Sequence, residues 1–531
     1  MLQRMSIRWA PWMVILIGSA LRAARYGANR SLWGDEAALA LNVMDRSIVE
    51  LLGPLGYAQA APYGFLVAQK GVIEAFGASE AALRLIPFLA SLVSLPLVWW
   101  LAKSILSRPA ALFALVLFAL GDTLIYYSAE AKQYALDVPA AMVVLCLGQR
   151  IRVCGATARR LILFGLAGII GIWFSHPLAF VCAGVGLTLI VWAYQRGERR
   201  TCFALIAVAA SWLVSFLLNG WFVLRHTASR EHLTNLWQNA FMPIPLFMGQ
   251  HAEQTMDAWA WYPRTFFGVF DDPIGLGAPT VAAAAFLGGV VVLWRHDRAA
   301  LGLIAMPIVA AMLVSAFGLY PFGTNAQLPP YGTDPNLAHP PIGRFILFTV
   351  PLWIIVLSTS LGALWSSPRR GAAVGGLVLA AALLFFPAKT ALTHLAVPPD
   401  VHDVRGLMID LAARLRPGDV VMVHSYGRRP VMYYHQRLGW SQPLRFVQFK
   451  DRSDLPAWQE LLDAAPPGTR YWLISVHHPR WRLKSEAEQQ DIIKLMQHYA
   501  KRRDQLDRLR TSAILFTTDR PHDRAHERQD M

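Results

Sequence analysis

Ser31-Leu32-Trp33-Gly34-Asp35-Glu36 follows almost directly on an apolar run from Trp9 to Leu21, and the same pattern of long apolar segment and short polar connection recurs along the chain. Eleven segments read as membrane spans: 9–25, 82–102, 109–127, 135–150, 161–175, 177–195, 201–224, 279–295, 299–319, 343–364 and 371–389. Spans of roughly 17–22 residues suit a hydrocarbon core of about 30 Å. A carboxylate held beside such a span is costly to dehydrate, so the Asp35-Glu36 pair marks a working surface at the bilayer face.

With 55% apolar residues, 19 Trp and 26 Phe in 531 residues and a mean hydropathy of +0.37, the chain is too apolar for an ordinary globular protein. An N-terminus inside places Lys103 with Arg108, Arg150 to Arg160, Arg196 to Arg200, Arg295 to Arg298, and Arg369 with Arg370 in cytoplasmic loops. That topology accounts for much of the net charge of +15 and explains it better than nucleic-acid binding does. The first span is expected to be retained, not cleaved. Residues 61–77, with Gln69, Lys70 and Glu74, are expected to lie on the surface without crossing. Four cysteines in or beside spans imply no disulfide framework and no cysteine metal site.

Four segments then face the outside: 26–81, 128–134, 225–278 and 320–342. After Pro398-Pro399 the composition turns charged, so 1–395 reads as an all-α polytopic membrane domain and 400–531 as a separate, small α/β extracytoplasmic domain. Within the latter, a helix over 404–415 and strands at 420–423, 444–449, 470–476 and 512–518 are predicted, with a long helix from about Ser485 to Arg510.

The chemistry-bearing residues gather on the outer side. Ala37, Ala40, Leu41, Met44 and Ile48 give the segment after Asp35 one apolar helical face, which puts Asp35 at a helix start, where an anion is favoured and where an N-cap is the bland alternative. If the fourth span begins early, Glu130, Tyr134 and Asp137 share a face. The loop 225–278 holds Trp237, Trp259, Trp261, Tyr262, Phe266 and Phe267 together with His226, His232, His251 and Glu253; its aromatics suit a sugar face or the bilayer boundary equally, and its histidines show no tight metal-ligand spacing.

The ordered set of Trp33-Gly34-Asp35-Glu36-Ala37, Ala61-Pro62-Tyr63-Gly64, Phe76-Gly77-Ala78-Ser79-Glu80 before Leu83-Arg84-Leu85, Ser128-Ala129-Glu130-Ala131-Lys132-Gln133-Tyr134, and Pro340-Pro341-Ile342-Gly343-Arg344-Phe345 resembles the GT-C superfamily of membrane glycosyltransferases. The resemblance covers residues 1–390 and lies with the bacterial branch that includes protein O-mannosyltransferase-like and aminoarabinose transferase-like enzymes. It implies transfer of a sugar from a polyprenyl-phosphate carrier, at the membrane lipid surface, to a glycan, lipid or protein acceptor outside the cytoplasm. Asp35 matches the family's catalytic acid, with Glu36 beside it, and Asp137 or Glu130 matches the second outer-loop acid. One position departs: relatives often carry His or Lys before the proline where this chain has Ala61.

Phosphate leaves without protonation, so one carboxylate acting as general base on an acceptor hydroxyl suffices, and direct displacement inverts the anomeric carbon. Arg84, Lys132, Arg264 and Arg344 are the expected phosphate-binding cations, and Tyr63, Tyr134, Trp261 and Tyr262 the expected substrate-lining rings. No cofactor is assigned; a divalent cation stays open. The alternatives from other classes are a transporter or lipid flippase for glycolipid intermediates, which favours mid-membrane charges and broken helices, and an assembly factor acting through 400–531.

Overall fold

The structure is a computed structural model that describes residues 2–224, 238–244, 252–323, 342–447, 462–477 and 482–518. Among the described residues, fifteen helices precede the change in composition. They are α1 Leu2–Gly27, α2 Gly34–Asp45, α3 Tyr63–Phe76, α4 Glu80–Ile105, α5 Arg108–Leu120, α6 Asp122–Ser128, α7 Tyr134–Cys154, α8 Ala158–Gly171, α9 Leu178–Gln195, α10 Arg199–Leu224, α11 Ala252–Asp271, α12 Pro279–His296, α13 Arg298–Ala316, α14 Val350–Trp365 and α15 Arg370–Ala396. A 3-10 segment, Ile342–Thr349, leads into α14.

Among the described residues, eight helices are long and apolar enough to cross a membrane, and α5 with α6, bent by 53°, make a ninth if counted as one span. The protein is a multi-pass membrane protein. Two of the eleven expected spans fall outside this set for physical reasons. In α1 the apolar run is interrupted by Arg22 and Arg25; α8 has only 14 residues. Arg22 is nevertheless fully buried, donating from Nε to Ser91 Oγ at 2.7 Å and from Nη1 to the Ala119 carbonyl at 3.0 Å, so its charge is solvated by the bundle itself. The opposite face of α1 exposes Trp9, Trp12, Met13, Leu16 and Ile17, a pattern suited to lipid. The segment 225–278, read from sequence as one loop, contains the 20-residue helix α11.

The C-terminal region is built from α16 Val404–Ala412, β1 Val420–His424, α17 Arg428–Leu438, β2 Leu444–Val447, β3 Arg470–Val476, α18 Arg482–Tyr499, β4 Ala500–Arg508 and β5 Thr511–Thr518. Its sheet runs β2-β1-β3-β5-β4, parallel from β2 to β3 and antiparallel beyond. The expected long helix ends at Tyr499, and its last part is instead the edge strand β4. A register shift between Arg502 and Asp504 breaks the alternation that would have revealed it, and its charged residues are those an edge strand uses against mispairing.

The composition boundary is not a packing boundary. Leu32, Ala37, Leu41 and Val43 from the Asp35 region share one buried core with Val404, Leu407, Val431 and Trp472. Polar contacts seal the same junction: Tyr434 OH receives the Leu32 N–H at 2.8 Å and donates to Glu80 Oε1 at 3.0 Å, and Arg405 Nη1 pairs with Glu80 at 2.9 Å. Helix α2 is thus held from above by α17.

Candidate active site

The start of α2, the start of α4, the turn between α6 and α7, and the 3-10 segment before α14 bring their charged residues together at one end of the bundle. Trp33 occupies the N-cap position of α2, and Glu36, three residues on, reaches back to accept the Trp33 N–H at 3.4 Å. Capping therefore falls to Glu36, and Asp35 is not the cap. Its carboxylate turns instead toward three side chains from elsewhere in the chain.

Two of the four expected acids are closed into ion pairs. Glu36, wholly buried, takes a two-pronged contact from Arg84 (Nε to Oε1 at 2.8 Å, Nη2 to Oε2 at 2.7 Å) and accepts the Ala131 N–H at 2.8 Å. Glu130, also wholly buried, pairs with Arg30 at 2.7 Å and accepts from the Trp33 indole. Arg84 further donates to the carbonyls of Arg30 and Ser31. The network pins α2, α4 and the turn after α6 to one another. Burial alone would raise the Glu36 pKa, but Arg84 outweighs it and holds the group below its ordinary value. Glu130 is shifted up, first by burial and then by the neighbouring Glu36 charge.

The third acid faces an opening. Asp35 keeps 19% of its side chain exposed and lies 3.1 Å from Lys132 Nζ and 3.5 Å from Arg344 Nη1. Gln59 Nε2 donates to its Oδ1 at 3.1 Å. Burial opposes ionisation here too, yet the two cations outweigh it and hold the carboxyl well below the usual range. The Arg344 guanidinium stacks over Tyr134 at 5.4 Å, and Tyr134 meets Tyr127 and Phe345 edge-on, so an aromatic wall flanks the cation.

Other expected site residues are placed elsewhere. Helix α7 begins only at Tyr134, so Glu130 precedes it and does not share a face with Asp137. Asp137 is buried within the first turn of α7, with Oδ1 unpartnered. Arg84, expected at the phosphate, is taken by Glu36. Arg264 is exposed on α11, and among the described residues no ion pair joins it to Asp35. Trp261 and Tyr262 anchor 238–244, through Trp261 Nε1 to the Asn239 carbonyl at 3.2 Å and Tyr262 OH to the Pro243 carbonyl at 2.6 Å. Tyr63 is buried and donates to the Leu52 carbonyl at 3.1 Å. Trp237, His226, His232 and His251 lie outside the described residues, as does the side chain of Glu253. Among the described residues no group of three or more His, Cys, Asp or Glu side chains is placed to hold a metal. Sequence reasoning passed over Gln59 and Arg30: a neutral amide between alanines and an arginine at a helix exit carry no signal until the fold supplies their partners.

No family model matches the sequence. Two solved structures of ArnT from Cupriavidus metallidurans are similar in fold: the apo form aligns with a TM-score of 0.54 at 13% identity over 95% of this chain and 97% of that one, and the form bound to undecaprenyl phosphate with 0.53 at 14% identity over 95% and 98%. The chain has the GT-C fold. A curated relative, the undecaprenyl phosphate-alpha-4-amino-4-deoxy-L-arabinose arabinosyl transferase of Edwardsiella ictaluri (strain 93-146), is 28% identical over 200 residues. That stretch spans 36% of this chain and about a third, 35%, of the relative.

Proposed function

We propose that this GT-C protein transfers a sugar from a polyprenyl-phosphate donor to an acceptor hydroxyl at the extracytoplasmic face of a bacterial inner membrane. The observation that supports it is a carboxylate, Asp35, flanked within 3.5 Å by Lys132 and Arg344 and still partly open. In the reaction the acceptor oxygen attacks the anomeric carbon, its proton passes to Asp35, and the bond from that carbon to the phosphate oxygen breaks with its electron pair leaving on polyprenyl phosphate. The anomeric centre inverts.

The ion pairs explain how a strongly acidic carboxyl becomes a base. While Lys132 and Arg344 neutralise Asp35, it holds protons weakly. A donor phosphate arriving between them takes up their hydrogen bonds, so Asp35 loses its counter-charges and its basicity rises where the acceptor hydroxyl approaches. The same cations then stabilise the charge that grows on the departing phosphate. Glu36 and Glu130, tied to Arg84 and Arg30, act in this reading by positioning α2 and the turn that carries Lys132. Whether the sugar is a hexose or a pentose, and whether the acceptor is glycan, lipid or protein, turns on residues beyond this cluster.

Asp35→Asn keeps the shape and removes the proton acceptor. Turnover by purified protein supplied with polyprenyl-phosphate sugar is expected to fall ~10²–10⁴-fold with little change in yield of folded protein. Near-normal transfer by this variant would sink the assignment.

A further inference from the structure

Gln59 bridges Asp35 and Lys132, which themselves lie 3.1 Å apart. Its Nε2 donates to Asp35 Oδ1 at 3.1 Å and to the Tyr57 carbonyl at 3.3 Å, while its Oε1 accepts from Lys132 Nζ. A neutral amide thereby satisfies an acid and a cation at once, adding no charge of its own.

The chain bends sharply to put it there. Tyr57 and Ala58 are consecutive non-glycine residues in the left-handed region, at φ 60° and 53°, a conformation that L side chains adopt only when their surroundings impose it. The imposing contacts are visible. Asn42 of α2 grips Gly56 from both sides, accepting its N–H at 2.6 Å and donating to its carbonyl at 3.1 Å. Arg429, from α17 of the C-terminal region, places its guanidinium over the Tyr57 ring at 5.9 Å. The tip 57–59 is therefore held from the helix that carries Asp35 and from the domain above it.

We propose that the Gln59 side chain is an internal stand-in for substrate, filling a seat against the directly paired Asp35 and Lys132, Oδ1 to Nζ 3.1 Å, and holding the bonding positions that the acceptor hydroxyl and a phosphate oxygen take in the working enzyme. This rests on the donor reading given above. The amide N–H donates to the carboxylate as an acceptor hydroxyl does, and the amide oxygen accepts from the ammonium as a phosphate oxygen does. A charged phosphate forms the stronger hydrogen bonds with Lys132 and Arg344 and displaces the amide. Until it does, the filled seat lowers the apparent affinity for donor by the fraction of molecules that are closed.

The test uses the purified full-length protein and two readouts. In binding of undecaprenyl phosphate, Gln59→Ala is expected to tighten affinity about tenfold, the worth of one charge-assisted hydrogen bond no longer competing, and Gln59→Glu to weaken it by a similar factor because a carboxylate holds Lys132 more firmly. Without any lipid, acylation of Lys132 by an amine reagent, read by mass spectrometry, is expected to be several-fold faster in Gln59→Ala than in wild type. If Gln59 only supported Asp35 and Lys132, Gln59→Ala would instead bind more weakly, and that result overturns the proposal. Equal Lys132 reactivity in the two proteins overturns it as well. Unmasking of Lys132 with no lipid binding by either protein would leave the stand-in intact and refute the polyprenyl-phosphate donor.

Discussion

Replacing Glu36 by Gln separates a positioning carboxylate from a catalytic one. The Glu36–Arg84 pair is buried at both ends, with side-chain exposures of 0% and 1%, and among the described residues Glu36 is the one carboxylate hydrogen-bonded to Arg84, Glu130 acting on it only through space. Gln preserves the volume and an oxygen for the Ala131 N–H but leaves the guanidinium without its counter-charge. Removing one partner of a buried pair costs ~3–5 kcal/mol, and the lower end applies here because Arg84 keeps its bonds to the carbonyls of Arg30 and Ser31. A loss of about 3 kcal/mol is a large share of a typical folding free energy, so the midpoint of thermal or denaturant unfolding in detergent should fall clearly. Activity should fall with it, through loss of the α2 position. The double replacement Glu36→Leu with Arg84→Met removes both charges and fills similar space, and it should recover much of the stability. If Glu36 served only to hold Arg84 and α2, activity at low temperature should return with stability. Recovery of stability with no return of activity would refute the positioning role and restore Glu36 to the reacting groups.

Other outcomes follow from the same geometry. Arg344→Lys should keep the charge but lose the planar stack on Tyr134, raising the KM for donor more than it lowers kcat, whereas Arg344→Ala should affect both; steady-state kinetics on a polyprenyl-phosphate sugar decides. Tyr434→Phe strands the Leu32 N–H and should cost ~1–3 kcal/mol in denaturant titration. Burial lowers the His402 pKa from 6.5 to about 4, so the unfolded chain binds the proton first and stability should fall as pH drops from about 6.5 toward 4, by up to roughly 3 kcal/mol. His402→Leu should flatten that slope in thermal melts, and an unchanged slope would contradict the assignment. Reporter fusions should place 105, 155 and 367 in the cytoplasm and 240 and 450 outside.

The spans were legible because a bilayer demands long apolar runs, and the ordered outer motifs pointed to the GT-C fold that the structure shows. The acids of the site were legible as a set but not in their roles. Nothing local distinguishes Glu36 from Asp35: only the fold brings Arg84 under the one and Lys132 with Arg344 beside the other. Glu130 was assigned to a helix face by counting residues, yet α7 starts at Tyr134 and the turn before it swings Glu130 toward Arg30. In the C-terminal region the interior strands β1, β3 and β5 read clearly from their apolar runs, while the charged edge strand β4 passed for helix.

The shared core beneath α17 alters what the C-terminal region must do. A domain joined only by a linker could be removed with little effect on the remainder. Here deletion of 400–531 strips cover from Leu32, Ala37, Leu41 and Val43, and it removes the Tyr434 and Arg405 contacts that fix the chain on either side of α2. The eight long apolar helices do not depend on those contacts for their hydrogen bonding, so insertion into the membrane should survive. Helix α2 has no such independence: its apolar face would meet water, and Asp35 would lose its register with Lys132 and Arg344. The truncated protein should therefore reach the membrane, aggregate more readily once extracted, and transfer no sugar. Activity of the truncated form at a level near wild type would show that α2 is held from below by α3 and α4 alone.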